Sequence, residues 1–210
     1  MNADETLREI ATEINSCRQC ILCQSRKLAV PGEGPADAQV MLIGEGPGFH
    51  ENEQGRPFVG QAGMFLNELL AHGGFKRETV FITNVVKCRP PGNRDPQPEE
   101  LAACQTYLDR QIAAINPLVI VTLGRFSMAR YFKDAKISGI HGRASWIGER
   151  FIIPMYHPAA ALHQPALKQT LIHDFSQLSV LVDKARQTAG SRSSASEPEA
   201  EDDATQLSFF

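Results

Sequence analysis

The chain contains 210 residues, 42% of them hydrophobic, and carries a formal net charge of -3. This length suits one globular domain with a sizeable core plus a tail, and no apolar run approaches the ~18 residues of a membrane span, so we expect no membrane association. Residues 187–210 hold one Arg and five acidic residues, which leaves 20 of the 21 basic and 19 of the 24 acidic residues in the rest of the chain. This near balance excludes a strongly basic nucleic-acid-binding domain.

The N-terminal residues 1–13 are polar and acidic, unlike a signal peptide. We therefore expect a cytoplasmic protein. In a reducing compartment its five cysteines favour metal binding over a disulfide framework.

The predicted elements follow one another as alternating helices and strands. Apolar residues at helical spacing predict the helices, and short apolar runs bounded by turn residues predict the strands. Residues 49–59 are polar and rich in turn-forming residues, so we expect them to be irregular. In chain order, we predict a helix over residues 5–14, a strand over 39–43, a helix over 61–72, a strand over 80–86, a helix over 99–115, a strand over 118–123, a helix over 124–132, a hairpin within 141–150, a strand over 151–155 and a helix over 166–186.

This alternation predicts an α/β fold, a three-layer α/β/α sandwich with a central four-stranded parallel sheet. Three loops, Gly44–Gly48, Asn84–Cys88 and Tyr156–Ala160, each follow a predicted strand, so they should converge on one edge of the sheet. We assign residues 1–186 to one domain. The Ser, Glu, Asp and Ala composition of residues 187–210 predicts a disordered acidic tail.

The loop Gly44-Glu45-Gly46-Pro47-Gly48 is the first candidate for a ligand site. Its glycines allow a sharp turn and a close approach of a ligand to the main chain, and Glu45 would point into the crevice at the strand end. An ordinary glycine-rich turn between a strand and a helix is the alternative interpretation.

The cysteines form the second candidate site. Cys17 and Cys20 make a C-x2-C pair, and Cys88 and Cys104 are separated by fifteen residues. This scattered second pair fits a four-thiolate iron–sulfur cluster at least as well as structural zinc. Buried apolar cysteines are the remaining alternative, and Cys23 leaves open which of the first three thiols is the odd one out.

Four motifs in this order resemble those of the family four uracil-DNA glycosylases: Gly44–Gly48, Gly55–Gly60, Thr83–Pro91 and His157–Ala159. The resemblance extends from about residue 17 to about residue 181 and implies an α/β/α fold, base excision repair of uracil-containing DNA and a [4Fe-4S] cluster. The cluster pattern of that family selects as ligands Cys17, Cys20, Cys88 and Cys104, and leaves Cys23 outside it.

The resemblance also implies roles for individual residues. Phe58 matches the aromatic side chain on which a flipped uracil stacks, and Asn84 matches the residue whose amide reads the base edge. His157 matches the donor to uracil O2, where negative charge develops as the bond breaks. Without the resemblance, a core Phe, a turn-forming Asn and a structural His are the simpler interpretations.

The glycine loop is expected to contact the base through Gly44, Glu45 and Gly46. The best-known uracil-DNA glycosylases carry a water-positioning Asp where this chain has Gly46. We therefore expect Glu45 either to act catalytically, by orienting the attacking water, or to shape the pocket floor. Glu51 is a candidate for excluding the methyl group of thymine.

Other residues are candidates for contacts outside the pocket. Residues 159–164, with Leu162, resemble the segment that probes the minor groove. Candidates for phosphate contacts, with solvated surface charge as the alternative, are Lys87, Arg89, Arg94 and Arg125. The C-terminal residues Gln206–Phe210 resemble the peptides with which repair proteins bind the bacterial sliding clamp.

A second class of function remains open at this stage. The chain would then be an iron–sulfur DNA-binding or redox-sensing protein without glycosylase activity. That interpretation assigns no role to Phe58, Asn84 and His157, whereas the glycosylase explains why they belong to loops at one sheet edge. We expect a monomer.

Overall fold

A mixed sheet forms the centre of the computed structural model, which describes residues 2–194. The strands are β1 Val40–Gly44, β2 Phe81–Asn84, β3 Val119–Leu123, β4 Ser145–Ile147 and β5 Arg150–Met155. They lie in the order β2-β1-β3-β5-β4, in which the first four are parallel and β4 is antiparallel to β5. All residues of β1, β2 and β3 are buried, as expected for a parallel sheet that is covered on both faces.

The predicted α/β fold is confirmed, with one correction to the strand count. The sheet described has five strands rather than four, because the predicted hairpin contributes an edge strand. Gly148 has a φ of +60°, which allows the tight turn from β4 back to β5. Trp146 in β4 pairs with Phe151. Strand β4 has only three residues, none of them buried. A segment this short shows no alternation of apolar and polar residues from which a strand of the sheet could be predicted.

Helices cover both faces of the sheet. They are α1 Ala3–Ser16, α2 Phe49–Gln54, α3 Gln61–His72, α4 Pro98–Ile115, α5 Arg125–Ala129, α6 Ile137–Ile140, α7 Pro158–His163, α8 Ala166–Ser176 and α9 Leu178–Ser194. Leu42 and Val121 pack with α3, α8 and α9 on one face, while Met41 and Ile120 pack with α4 on the other. Successive strand residues point to opposite faces, so each strand contributes to both cores.

Two helical predictions differ from the structure. Residues 49–54, expected to be irregular, form α2, which begins with a hydrogen bond from the Gly48 N–H to the Glu51 carboxylate and ends at Gly55 in the left-handed conformation. The helix predicted over 166–186 is two helices, α8 and α9, separated at Gln177. The short polar helix α2 has no apolar stripe, so in the sequence only its capping residues indicate a helix.

The last helix continues to Ser194, past the boundary at residue 186. The remaining residues of the predicted tail, with the peptide Gln206–Phe210, lie outside the described residues. Within the described part of the chain, no helix is long and apolar enough to cross a bilayer.

The N-terminal helix α1 packs on α4. Ile10 and Ile14 are buried against Tyr107, and Arg110 donates to both carboxylate oxygens of Glu13 at 2.5 and 2.7 Å. This packing brings the segment that follows α1 close to the loop between β2 and α4. The cysteines of both segments are thereby gathered at one place.

Candidate active site

A cavity of about 510 Å³ opens at the carboxyl edge of the sheet. Its walls come from the loops that follow β1, β2 and β5, as the topology of a parallel sheet requires. Among its lining residues are Glu45, Gly46, Phe58, Asn84 and His157. The structure thus brings these predicted site residues together around one volume.

Asn84, the last residue of β2, places a side-chain amide at the back of the cavity. The residue is 1% exposed, and its Oδ1 atom is buried without a hydrogen-bond partner in the described part of the chain. A buried acceptor without a donor is costly, so this oxygen is arranged for a donor that a ligand brings.

Gly44 pairs with Asn84 in the register of β1 and β2. A Cβ atom at Gly44 would lie 2.4 Å from Asn84 Oδ1 and 2.6 Å from Phe58 Cζ. Only glycine therefore allows the amide and the aromatic ring to approach the strand as they do. Gly44 acts through these two neighbours and does not itself line the cavity in the structure.

His157 caps the N-terminus of α7, and the backbone N–H of Ala159 donates to its Nδ1 atom at 3.1 Å. Since Nδ1 accepts, the neutral ring carries its proton on Nε2. Burial lowers the pKa of His157 to about 4, against a smaller opposing effect of the Glu51 carboxylate. The ring stacks against Phe58 with 5.4 Å between centroids and 26° between planes. His157 is therefore a neutral donor at neutral pH.

Glu51 ties the rim of the cavity together. Its carboxylate accepts from the backbone N–H groups of Gly48, Val59 and Gly60 at 3.1, 2.8 and 2.9 Å. It joins the glycine loop to the segment that follows Phe58. The sequence showed Glu51 only as a candidate for excluding thymine, and this bracing function depends on contacts that no local pattern signals.

Glu45 and Gly46 form the side of the cavity nearest β1. Burial raises the pKa of Glu45, with a further increase from Asp95 and an opposing effect from Arg125. A Cβ atom at Gly46 would lie 2.8 Å from Val86 Cγ2. A larger residue at Gly46 would therefore require Val86 to move.

The predicted phosphate contacts separate into two groups. The prediction that Lys87 contacts phosphate, or is a solvated surface charge, is wrong. Lys87 is 1% exposed, and its Nζ donates to Thr83 Oγ1, the Asn84 carbonyl and Gln111 Oε1 at 2.6, 2.9 and 2.7 Å. Of the three arginines, Arg94 lines the cavity, Arg125 pairs with Asp95, and Arg89 lies over the exposed ring of Phe49. Sequence reasoning missed Phe49, although it directly follows the glycine loop.

A second, smaller cavity is lined by the cysteines 17, 20, 23, 88 and 104. N–H groups point at three of the sulfurs: the Lys87 backbone at Cys104 (3.3 Å), the Arg26 guanidinium at Cys88 (3.3 Å) and the Gln19 backbone at Cys17 (3.5 Å). Burial raises the pKa of Cys104 to about 11 and also raises that of Cys88.

These thiols have a chemistry that fits a cluster. All five cysteines are free, and among the described residues no group of three or more His, Cys, Asp or Glu is already arranged to hold a metal ion. Thiolates from separate segments with N–H donors at their sulfurs suit an iron–sulfur cluster. A bound metal would also offset the raised pKa values, because a coordinated thiol is deprotonated.

Comparison with known proteins adds an independent finding. The family model described as the uracil DNA glycosylase superfamily matches residues 31–176. The chain is 46% identical to a type-4 uracil-DNA glycosylase of Sulfurisphaera tokodaii over 83% of the chain and 84% of that protein. For the type-4 enzyme of Archaeoglobus fulgidus the identity is 44%, over 88% and 97%. For that of Thermotoga maritima it is 42%, over 88% and 99%.

Proposed function

The chain belongs to the uracil-DNA glycosylase superfamily, and we propose how its cavity binds uracil and cleaves the bond between uracil and deoxyribose. The protein is a uracil-DNA glycosylase, a DNA repair enzyme that hydrolyses the N-glycosidic bond between uracil and deoxyribose. The observation that carries the assignment of its site is that Asn84, whose buried Oδ1 has no hydrogen-bond partner among the described residues, lines the same cavity as the neutral ring of His157.

Base recognition falls to Asn84 and Phe58. A glycosylase takes its base out of the helix and holds it in a pocket. Asn84 Oδ1 accepts the N3–H of the flipped uracil, and Asn84 Nδ2 donates to O4. Cytosine presents an acceptor at N3 and an amino donor at position four, so its edge opposes both groups. The ring of Phe58 supplies the stacking surface.

Bond cleavage falls to His157 and Glu45. As the bond between C1′ and N1 breaks, its electron pair moves onto the uracil ring, and His157 Nε2–H stabilises the charge at O2. Glu45 orients a water molecule whose oxygen bonds to C1′, and the water proton passes to solvent. The uracil anion leaves with its electron pair and is protonated in water.

A [4Fe-4S] cluster held by Cys17, Cys20, Cys88 and Cys104 completes the proposal. When bound, the cluster would supply covalent links to these four thiolates. Those links would join the segment after α1 to the loop between β2 and α4, and so would stabilise the position of Asn84 at the end of β2. Cys23 lines the same cavity but is not assigned as a ligand.

The remaining assignments concern the surface and the chain end. Leu162, 46% exposed on α7, fills the space of the flipped base, and Arg89, Arg94 and Arg125 bind phosphates of uracil-containing DNA. The chain acts as a monomeric cytoplasmic enzyme. Of the predicted acidic tail over residues 187–210, the part up to Ser194 belongs to α9, and the C-terminal residues Gln206–Phe210 bind a sliding clamp.

The test is release of free base by the purified full-length protein. Oligonucleotides of one sequence carry uracil, hypoxanthine or thymine at a single position, and the released base is quantified. We expect release of uracil and not of thymine. Intact uracil-containing DNA after prolonged incubation with cluster-replete enzyme would refute the proposed function and favour a redox or DNA-binding protein.

A further inference from the structure

The backbone of Phe58 is held in an unusual conformation. Its φ of +50° lies in the left-handed region, which a bulky residue rarely adopts and which costs free energy. Its side chain is 6% exposed and packs in the core beneath the cavity. The surrounding structure must impose this conformation, because the residue alone would not adopt it.

The side chain of Arg77 helps to impose this conformation by hydrogen bonding to two backbone carbonyls. Its Nη2 atom donates to the Pro57 carbonyl at 2.5 Å, and its Nη1 atom donates to the Phe58 carbonyl at 3.1 Å. The same Nη1 atom donates to Asn67 Oδ1 on α3 at 3.1 Å. The side chain of Arg77 is 19% exposed. One planar guanidinium therefore fixes two successive carbonyls and ties them to a helix.

Glu33 anchors Arg77 to the sheet. Arg77 Nε and Nη2 both donate to Glu33 Oε1, at 2.9 and 2.6 Å. The backbone of Glu33 is bridged to Ile82 of β2 by two hydrogen bonds of 3.0 and 2.8 Å. Burial alone would raise the pKa of Glu33, but the hydrogen bonds from Arg56 and Arg77 outweigh it and lower the pKa. The anchor is thus a charged carboxylate.

We propose that Arg77, anchored by Glu33, is a positioning residue that holds the Pro57 and Phe58 carbonyls and thereby fixes the ring of Phe58 as the surface on which uracil stacks. This inference rests on the proposed function. The Phe58 backbone packs directly on α3 at Gly63, since a Cβ atom there would lie 1.9 Å from the Phe58 oxygen. The loop therefore cannot move closer to that helix. Arg77 holds the loop through the Pro57 and Phe58 carbonyls and is not among the residues that line the cavity.

Arg56 offers a matched control. It also donates to Glu33, from Nε to Oε2 at 2.8 Å, but its contacts do not include the Phe58 loop carbonyls, and its side chain is 60% exposed. Arg77→Met removes the guanidinium that binds the Pro57 and Phe58 carbonyls but keeps the ion pair between Arg56 and Glu33. Arg56→Met removes that ion pair but keeps the guanidinium of Arg77. Both variants lose one charge beside the same carboxylate.

The experiment combines these variants with Phe58→Ala in a double-mutant cycle. Single-turnover uracil release and inhibition by free uracil are measured in full-length protein, well below each variant's unfolding temperature. Since a displaced ring would lose its stacking contact with the base, Arg77→Met should lose about tenfold in rate and weaken inhibition by free uracil about as much. Arg56→Met should match the wild type. In the Phe58→Ala background, Arg77→Met should have no further effect.

Other outcomes overturn the inference. An equal loss with and without Phe58 would mean that Arg77 supports the fold only, and an unchanged Arg77→Met enzyme would mean that it does not position the ring. If Arg77→Met fails to fold, Arg77→Lys replaces it in the same cycle with the same expected direction, because an ammonium lacks the planar fork. Inactive wild-type enzyme would instead refute the proposed function.

Discussion

At the scale of single residues, the proposed specificity of the cavity depends on one amide. Asn84 Oδ1 is buried without a donor from residues 2–194, and the free energy of leaving it unpaired would be recovered when a base brings an N–H group. A base without that group leaves the penalty in place. Discrimination therefore comes from the cost of a mismatch as much as from the gain of a match.

Asn84→Asp should reduce uracil release by about 10²-fold or more, because the carboxylate offers no donor to O4 and repels the uracil anion. Asn84→Ala, which removes the amide without adding charge, serves as the control and should lose less. Single-turnover rates with excess enzyme check both. Near wild-type rates for Asn84→Asp would contradict the role of this residue.

His157→Ala should slow base release by about 10²- to 10³-fold, as expected for the loss of a donor to a developing anion. In the proposed mechanism, the active form of His157 is the neutral ring. Because burial lowers the pKa of His157 from 6.5 to about 4, its contribution to the rate should not fall near pH 6.5 and should be lost only as the pH falls through about 4.

The raised pKa of Glu45 also affects the acid side of this profile. Glu45→Gln removes that titration, so the decline that remains in this variant belongs to His157. Rates of wild type and Glu45→Gln across pH 3.5 to 8 provide the measurement. A decline centred near pH 6.5 in Glu45→Gln would show that His157 titrates normally and is not held neutral by burial.

At the scale of elements, the cysteines come from two parts of the chain that are distant in sequence. The segment after α1 supplies Cys17 and Cys20, while Cys88 follows β2 and Cys104 lies on α4. The packing of α1 on α4 brings them to one cavity. A single thiol contributes little to the contact between these elements. A metal group bound to all four thiols would couple the two segments, so that they fold and unfold together.

Purified protein should therefore contain iron and sulfide in about a four-to-four ratio per chain. Alanine at Cys17, Cys20, Cys88 or Cys104 should abolish the brown absorbance and lower the unfolding temperature. Cys23→Ala is the matched control, since Cys23 lines the same cavity and should keep the cluster. Stoichiometric zinc in anaerobically prepared protein would contradict the assignment.

At the scale of the whole molecule, charge is distributed unevenly along the chain. Five of the 24 acidic residues lie within residues 187–210, while the remainder of the chain is close to neutral. A body of this kind has little long-range attraction to DNA. A partner that already encircles DNA would raise the local concentration of the enzyme there.

A peptide of residues 201–210 should bind a sliding clamp from the same source, and Leu207→Ala combined with Phe210→Ala should abolish that binding, since these side chains supply apolar contact. Titration of labelled peptide with clamp checks this. Deletion of residues 206–210 should leave base release from short oligonucleotides unchanged. Loss of that activity would mean that the chain end serves the active site instead.

The sequence by itself determined the features that local patterns encode. Apolar runs located the parallel strands, and the rule that parallel strands share a carboxyl edge predicted that Glu45, Asn84 and His157 would meet. Spacing alone grouped the cysteines, and the resemblance selected four of them. Each of these inferences needs only neighbouring residues or the order of elements, and both are properties of the chain as a linear polymer.

Only the tertiary structure decided the features that depend on contacts between distant residues. The neutral state of His157 results from its burial, and its tautomer from the Ala159 N–H. Lys87 is inside the protein because Gln111 of α4 and Thr83 of β2 surround its amine. The link from Arg77 to Phe58 spans nineteen positions. Solvation and hydrogen bonding at such sites are set by three-dimensional neighbours, which no periodicity along the chain records.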